Sequence, residues 1–279
     1  MANIIESVTS SFPKTTNEID ITLSDLIYRI VGSFRMNVEK KRIKDDADLN
    51  SFKREIFNGI EAIPPENRLP LDNRLIEFAL DSAKYSVNTP EIRRLFSGLI
   101  ASSRNPKYAD YNHFAYVDVI RQLSSFDVKL FELIHSQSHI PACVVRRADD
   151  PDYNLLLGVA SNEGCVDDIQ VFDQDLMPSG TNISNDYISL DNTVLADKRS
   201  FMSLGNLERL GLVKIDYSEG TYTKSEYSAF FEEPTIKSYL SESTNDNPIG
   251  LVLGICKITE FGLDFAEVCY TKAEEEYNL

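Results

Sequence analysis

Apolar residues recur at steps of three and four from residue 21 to about residue 123, which limits this part of the chain to amphipathic helices. The pattern is clearest between Thr22 and Lys44. It resumes between Leu49 and Ile60 and stops at Pro64–Pro65, because a helix interior does not tolerate proline. The sequence therefore predicts a helical domain over residues 21–123, preceded by a flexible N-terminus of residues 1–20.

The second part of the chain differs in charge and in pattern. Residues 1–123 carry 17 Lys and Arg against 17 Asp and Glu, whereas residues 124–279 carry 11 against 27, so the whole net charge of -16 lies in the second part. Short apolar runs between Asp, Asn, Ser and Gly fill residues 142–192, which we interpret as an acidic insert of short strands and loops. The predicted fold class is mainly α, with an α+β domain over residues 124–279.

The stretch LGNLERLGLVKI, residues 204–215, is typical of a helix that turns into a strand. The helix is expected to begin near Ala196 and to end at Gly211, since glycine suits the left-handed conformation that closes a Schellman motif. Leu212 is then expected to fold back on Leu207. We therefore predict a helix stop at Gly211, followed directly by a strand.

The flanking segments extend this pattern. A helix follows Ser125, LVKIDY and the run around GTYT are expected to form a hairpin, GLVLGICKIT is a buried strand, and Thr259 caps a closing helix. The order of helix, insert, helix, hairpin, strand and helix is that of a winged helix. The sequence thus predicts a helical domain followed by a winged-helix-like domain.

Motifs for nucleophilic catalysis, nucleotide binding and metal coordination are missing from the sequence. His135 and His139 stand four residues apart, but Pro141 follows closely, and we favour a helix end over a metal site. The acidic insert lacks a calcium-binding loop of the EF-hand type. The four cysteines lack metal-ligand spacing and are expected to be buried, reduced thiols. We predict no enzymatic activity, no cofactor and no metal.

Two functions remain open for the predicted winged helix. On a helical wheel, Arg199, Ser203, Asn206 and Arg209 face away from the apolar stripe and could contact DNA. Specific DNA-binding proteins present a positive field, whereas residues 196–217 hold four basic against three acidic residues. The sequence favours docking of a protein partner, and a DNA-binding regulator that uses Arg199, Asn206 and Arg209 is the alternative.

The N-terminal part bears on assembly and location. Because no domain precedes the helix predicted from Thr22 to Lys44, we expect its apolar face to pack in a homo-oligomer or against a protein partner. The first 20 residues are too polar for a signal peptide, and no apolar run approaches the roughly 20 residues that span a bilayer. We expect a cytoplasmic protein without a membrane span.

Three segments carry a resemblance to a known family. They are IPPEN at Ile63–Asn67, the helix from Ile92 to Ala101, and the segment His113–Ser124, in which Phe114 replaces the usual proline. Residues 50–270 thereby resemble the abortive infection alpha family of bacteria. The resemblance implies a role in phage defence by abortive infection, and it implies no catalytic residues.

Overall fold

The fold is that of a computed structural model. The chain divides into two compact units, the first made of Met1–Ser125 and Asp264–Leu279 and the second of Phe126–Leu263. Residues 1–20, and most of the helix predicted from Thr22, lie outside the described residues, and the predicted domain limits stay predictions. The structure describes residues 23, 25–27, 39–70, 72–137, 139–148, 156–157, 160–161, 164–165, 170–171, 180–218, 224–244 and 246–270.

Helices make up the described part of the first unit, as the sequence predicts. They are α1 (Glu39–Glu61), α2 (Asn73–Ala83), α3 (Pro90–Ser102) and α4 (Ala115–Gln122), with 3-10 turns at Pro65–Asn67 and Pro106–Tyr108. The charge run KKRIKDD and the apolar pattern after it form one continuous helix, α1. Within the described ranges of the chain, no helix has the length and apolar composition needed to cross a bilayer.

Local sequence explains two helix starts in this unit. Asp72 caps α2, because its side chain accepts the backbone N–H groups of Arg74 and Leu75 at 3.0 and 3.3 Å. Helix α3 begins at Pro90 with Thr89 at the N-cap, as predicted, although the Thr89 side chain makes no capping hydrogen bond. The fixed φ of proline suits the first helical position and stabilises this start without that bond.

Helix α3 lies at the centre of the first unit. Helices α1, α2 and α4 all pack against it, so that it is buried along most of its length. Full burial of one large apolar side chain contributes about 1.5–3 kcal/mol to folding. The buried apolar side chains of α3 include Ile92, Leu95, Phe96, Leu99 and Ile100.

Strands and short helices follow in the second unit. The helices are α5 (Ser125–His135), α6 (Lys198–Arg209), α7 (Ser228–Glu232), α8 (Pro234–Leu240) and α9 (Glu260–Cys269), of which α9 continues into the first unit. The strands are β1 (Ile140–Ala148), β2 (Leu156–Leu157), β3 (Ala160–Ser161), β4 (Gly164–Cys165), β5 (Gln170–Val171), β6 (Gly180–Asn182), β7 (Tyr187–Leu190), β8 (Thr193–Leu195), β9 (Val213–Asp216) and β10 (Ile249–Ile258).

Strands β1 and β10 form the centre of the main sheet. They pair antiparallel, from Ile140 opposite Cys256 to Arg147 opposite Ile249. Strand β10 also pairs with β9 and β5, β1 pairs with β6 and β7, and β7 pairs with β8. Among the described strands, only β5 and β10 are parallel. The chain is therefore a mixed α+β protein with helices in its N-terminal part, which confirms the predicted fold class at this level.

One detail of the predicted topology is untested and another changes. The described partner of β9 is β10, and the predicted hairpin with GTYT falls on residues 220–223, outside the described part of the chain. The first eight residues of β10, up to Cys256, form a buried run without a charged side chain, as is typical of a central strand, and both edges of β10 are paired. The insert predicted over residues 142–192 begins inside β1, because residues 142–148 are mostly apolar and lie at the centre of the sheet.

Two connections place residues in the left-handed region of φ. Gly211 has φ 74°, its N–H donates to the carbonyl of Glu208 at 2.9 Å, and the N–H of Leu212 donates to the carbonyl of Leu207 at 3.0 Å. These are the two bonds of a Schellman motif, so the predicted helix stop is confirmed. Asp191–Asn192, with φ of 48° and 60°, joins β7 to β8 in a two-residue turn of type I′.

Candidate interaction surface on helix α6

Helix α6 starts where its own sequence provides a cap. The Asp197 side chain accepts the backbone N–H of Arg199 at 2.9 Å and that of Ser200 at 3.1 Å, and the Ser200 hydroxyl also donates to it. Mainly because of the Ser200 hydroxyl, the pKa of Asp197 lies below its ordinary value. With Asp197 at one end and the Schellman motif at the other, the limits of α6 are set locally.

One side of α6 packs into the second unit. Leu204 and Leu207 are buried, as the predicted apolar stripe requires. The ring of Phe201 meets Tyr187 of β7 edge-on, with ring centroids 5.2 Å apart. These contacts fix the rotation of α6 about its axis and thereby decide which residues face outward.

Two residues of the predicted outward face donate hydrogen bonds to a buried carboxylate. The Oδ1 of Asp127, in α5, accepts the hydroxyl of Ser203 at 2.5 Å, and its Oδ2 accepts the side-chain amide of Asn206 at 3.1 Å. Ser203 is buried and Asn206 is half-buried. The prediction that both residues belong to an outward face that could contact DNA is therefore wrong for Ser203 and only partly right for Asn206. The cause is α5, whose position a helical wheel of α6 does not reveal.

The two arginines of α6 are exposed but held in position. The guanidinium of Arg209 donates to the Oδ1 of Asn206 at 2.7 Å, so both ends of that amide are engaged. The guanidinium carbon of Arg199 lies 4.3 Å from the ring centroid of Phe126, at the start of α5. An arginine whose conformation is already restricted loses less entropy when it binds a carboxylate or phosphate.

The exposed side of α6 combines apolar, small and basic residues. Met202 is 67% exposed. Apart from the adjacent residues and backbone of α6 itself, no heavy atom of the described residues lies within 4 Å of the position that a β-carbon on Gly205 would take. We call Lys198, Arg199, Met202, Gly205 and Arg209 the α6 face. The long cationic side chains lie at the two ends of this face, and the apolar side chain lies at its centre. This arrangement suits an interface with an apolar core and a polar rim.

Glu208 also lies on the exposed side of α6, but its carboxylate is engaged elsewhere. Its Oε1 accepts the backbone N–H of Ile215 in β9 at 3.3 Å. This bond directs the carboxylate toward the strand that follows the helix. The charge of the α6 face is therefore set mainly by Lys198, Arg199 and Arg209.

Sequence reasoning identified Arg199 and Arg209 as candidate contact residues and missed Met202 and Gly205 between them. The signal for Met202 was present, because a methionine among polar residues of an amphipathic helix breaks the pattern. The role of Asp127 had no local signal, since its partners lie 76 and 79 residues away along the chain.

The remaining candidate groups do not form a second site. Helix α5 ends at His135, so His139 does not share a helix with it and instead lies 3.6 Å from a carboxylate oxygen of Glu226. His113 lies just before the N-cap of α4, and its Nδ1 accepts the backbone N–H of Ala115 at 3.0 Å. Burial raises the pKa of the Cys256 thiol to about 12, so this thiol stays protonated and unreactive at neutral pH. Among the described residues, no three His, Cys, Asp or Glu side chains lie together as a metal site would require.

Comparison with known proteins gives the family. Residues 44–269 match the family described as abortive infection alpha, and this range includes most of the first unit that is described and all of the second. The chain belongs to the abortive infection alpha family. No curated protein and no solved structure matches the chain. Membership suggests a role in abortive infection, a form of phage defence.

In this abortive infection alpha protein, the segment Ile92–Ala101 that carries much of the resemblance holds one buried cation, Arg93. Arg93 donates through Nε to Glu55 at 3.0 Å and through Nη1 to Asp48 at 3.3 Å, and Nη1 also donates to the carbonyl of Val87. The bonds to Glu55 and Asp48 join α3 to α1 within the first unit. Because its donors point to partners within its own unit, we interpret Arg93 as structural.

Proposed function

We propose that the protein acts in the cytoplasm as a non-enzymatic interaction protein of abortive infection and docks a protein partner on the α6 face. The observation that carries the proposal is the exposed Met202 at the centre of that face, between two positioned arginines. Exposed methionine is adaptable and frequent at protein-binding surfaces. The proposal includes no chemical step and no cofactor.

The topology around α6 supports a winged-helix interpretation of the second unit. Helix α6 leads into β9, and strands β1, β10 and β9 lie side by side in antiparallel pairs. This order matches the three-stranded sheet of a winged helix, with α6 in the place of the recognition helix. Residues 217–248, which include α7 and α8, would take the place of the loop of the wing.

A DNA-binding regulator is the second candidate, and the three cations of the α6 face favour it. Against it stands Asn206, whose amide is engaged with Asp127 and Arg209 and would have to leave both to read a base edge. Fluorescence anisotropy with duplex DNA at about 150 mM salt separates the candidates, since specific binders reach nanomolar constants there. Sub-micromolar, sequence-dependent binding that Arg199→Ala with Arg209→Ala abolishes would favour the regulator.

The docking proposal is tested by phage challenge of bacteria that express the full chain. Met202→Glu places a charge at the centre of the α6 face, and we expect it to lower protection at least tenfold in plating efficiency. Met202→Leu keeps an apolar side chain and is expected to retain protection. The matched control is Leu133→Glu, at a leucine of α5 that is 50% exposed and lies outside the face. Equal protection by Met202→Glu and the wild type would refute the proposal.

Assembly through the N-terminal helices is a separate proposal. It depends on the apolar pattern from Thr22 to Lys44, most of which precedes α1. We expect light scattering of the full chain to give an oligomer at tens of micromolar, since an obligate interface persists at such concentrations. A monomer at those concentrations would contradict the proposal and leave the α6 face unaffected.

A further inference from the structure

Among the described residues outside α6 itself, none packs against the position that a β-carbon on Gly205, at the centre of the α6 face, would take. A β-carbon on Gly254 or Gly262 would collide with backbone atoms of neighbouring segments, which explains glycine at those positions. At Gly205 the corresponding space is open. A glycine inside a helix costs about 1 kcal/mol relative to alanine. Helix α6 therefore loses stability at Gly205 without any gain in internal packing, and close approach of another backbone is the physical use of a missing β-carbon.

The neighbours of Gly205 lie on one stripe of the helix. Arg199, Met202, Gly205 and Arg209 follow one another at steps of three, three and four residues. With a rise of 1.5 Å per residue, the two arginines are about 15 Å apart along the axis. A helix that crosses α6 at Gly205 would place its own side chains against Met202 and its ends near the two cations.

The charge of the second unit indicates which partner fits. Between Phe126 and Leu263 the chain holds ten Lys and Arg against 22 Asp and Glu, so the α6 face is a basic patch on an acidic unit. Long stretches of phosphate would be repelled by the rest of the unit. A short segment with carboxylates at both ends needs contact only with Arg199 and Arg209, and charge complementarity therefore favours it.

We propose that the α6 face binds an acidic amphipathic helix of a partner protein, which crosses α6 at Gly205 with the two backbones in close contact. The inference rests on the proposed docking function and names the chemistry of the partner. The missing β-carbon lets the helix axes approach more closely than the usual 8–10 Å. Met202 supplies the apolar contact, and Arg199 and Arg209 pair with carboxylates of the partner helix.

The decisive variant is Gly205→Ala, because its effects on stability and on binding have opposite signs. Alanine fits the open space and favours the helix, so the melting temperature of the full chain should rise by several degrees. The added methyl group would hold a crossing helix away, so protection in the phage challenge should fall at least tenfold. A residue with only a structural role would not become more stable while losing function.

Photo-crosslinking in infected cells identifies what binds. A benzophenone amino acid at position 198, at the rim of the α6 face, should give a polypeptide adduct in the full chain. Mass spectrometry should locate the adduct in a helical segment with net negative charge, and the adduct should disappear in Gly205→Ala and in Arg199→Glu with Arg209→Glu. A nucleic-acid adduct, an adduct within this chain, an adduct to a neutral or basic segment, or no adduct would overturn the inference.

The variants separate failure of the inference from failure of the proposed function. Suppose that Met202→Glu abolishes protection while Gly205→Ala keeps both protection and the adduct. Docking on the α6 face would then be supported, and the proposal that an acidic helix crosses α6 closely at Gly205 would be wrong. If Met202→Glu keeps full protection, the docking function itself is wrong.

Discussion

Helix α3 of the first unit and helix α6 of the second are similar in length and in their content of glycine and arginine. The environments of these residues are nevertheless opposite in the two helices. Each contains one glycine and two arginines. In α3, Arg93 is 9% exposed and engages two carboxylates, and a β-carbon on Gly98 would collide with the backbone of Cys269. Each of these residues therefore has a function within its own unit.

In α6 the corresponding residues face solvent. Gly205 has open space beside it, and Arg199 and Arg209 are exposed. The comparison teaches that residue type alone does not distinguish a structural helix from an interaction helix. A glycine lowers helix stability, and an ordered arginine loses conformational entropy. The distinction lies in whether contacts inside the same unit offset these free-energy costs. Four substitutions test it, from the largest expected effect to the smallest.

Arg93→Met should have the largest effect. It leaves the carboxylates of Glu55 and Asp48 without their cation in a largely buried site, and loss of one partner of a buried pair costs about 3–5 kcal/mol. Because both carboxylates are partly exposed, we expect a loss near the lower limit, about 3 kcal/mol. Urea unfolding of the full chain measures it. Arg94→Met, at the exposed neighbour, is the control and should change stability by less than about 0.5 kcal/mol.

Gly98→Ala should be the next most destabilising change. The new methyl group would occupy the place of the Cys269 carbonyl, so the end of α9 within the first unit has to move. Overpacking of this kind costs about 1–3 kcal/mol. Thermal unfolding monitored by circular dichroism measures the loss. An unchanged melting temperature would show that the end of α9 adjusts freely and would remove the contrast with Gly205.

Asp127→Asn tests the contact that determines the outward residues of α6. Ser203 and Asn206 donate to different oxygens of the carboxylate, and asparagine replaces one of these oxygens by an NH2 group. One of the two donors therefore loses its acceptor, at a cost of about 1–3 kcal/mol. Asp118→Asn, at an exposed residue of α4, is the matched control and should have little effect. If both variants unfold at the same urea concentration, the polar contact between α5 and α6 does not stabilise the second unit.

Local features were predictable from the sequence, and contacts between distant segments were not. The stop at Gly211 was predicted correctly because the Schellman motif depends on a few adjacent residues. The periodicity of the first 123 residues predicted helices for the same reason. The outward orientation assigned to Ser203 was wrong. A helical wheel gives the direction of a side chain around the helix axis, but it does not show that α5 covers that side of α6. Met202 was overlooked although its place among the polar positions of the helix was a signal in the sequence, and the folded chain adds the fact that its side chain is 67% exposed.

Gly205→Ala should have the smallest effect on stability and the opposite sign. At an exposed helical position with space for a methyl group, alanine restricts the unfolded chain and favours the helix, so the unit should gain about 1 kcal/mol. Paired urea titrations of Gly205→Ala and Gly98→Ala measure both changes under the same conditions. A loss of stability in both variants would mean that α6 is packed as tightly at its glycine as α3 is. A gain in the first and a loss in the second would show that only the glycine of α3 is required by the fold, and the glycine of α6 would then need a reason outside its own unit.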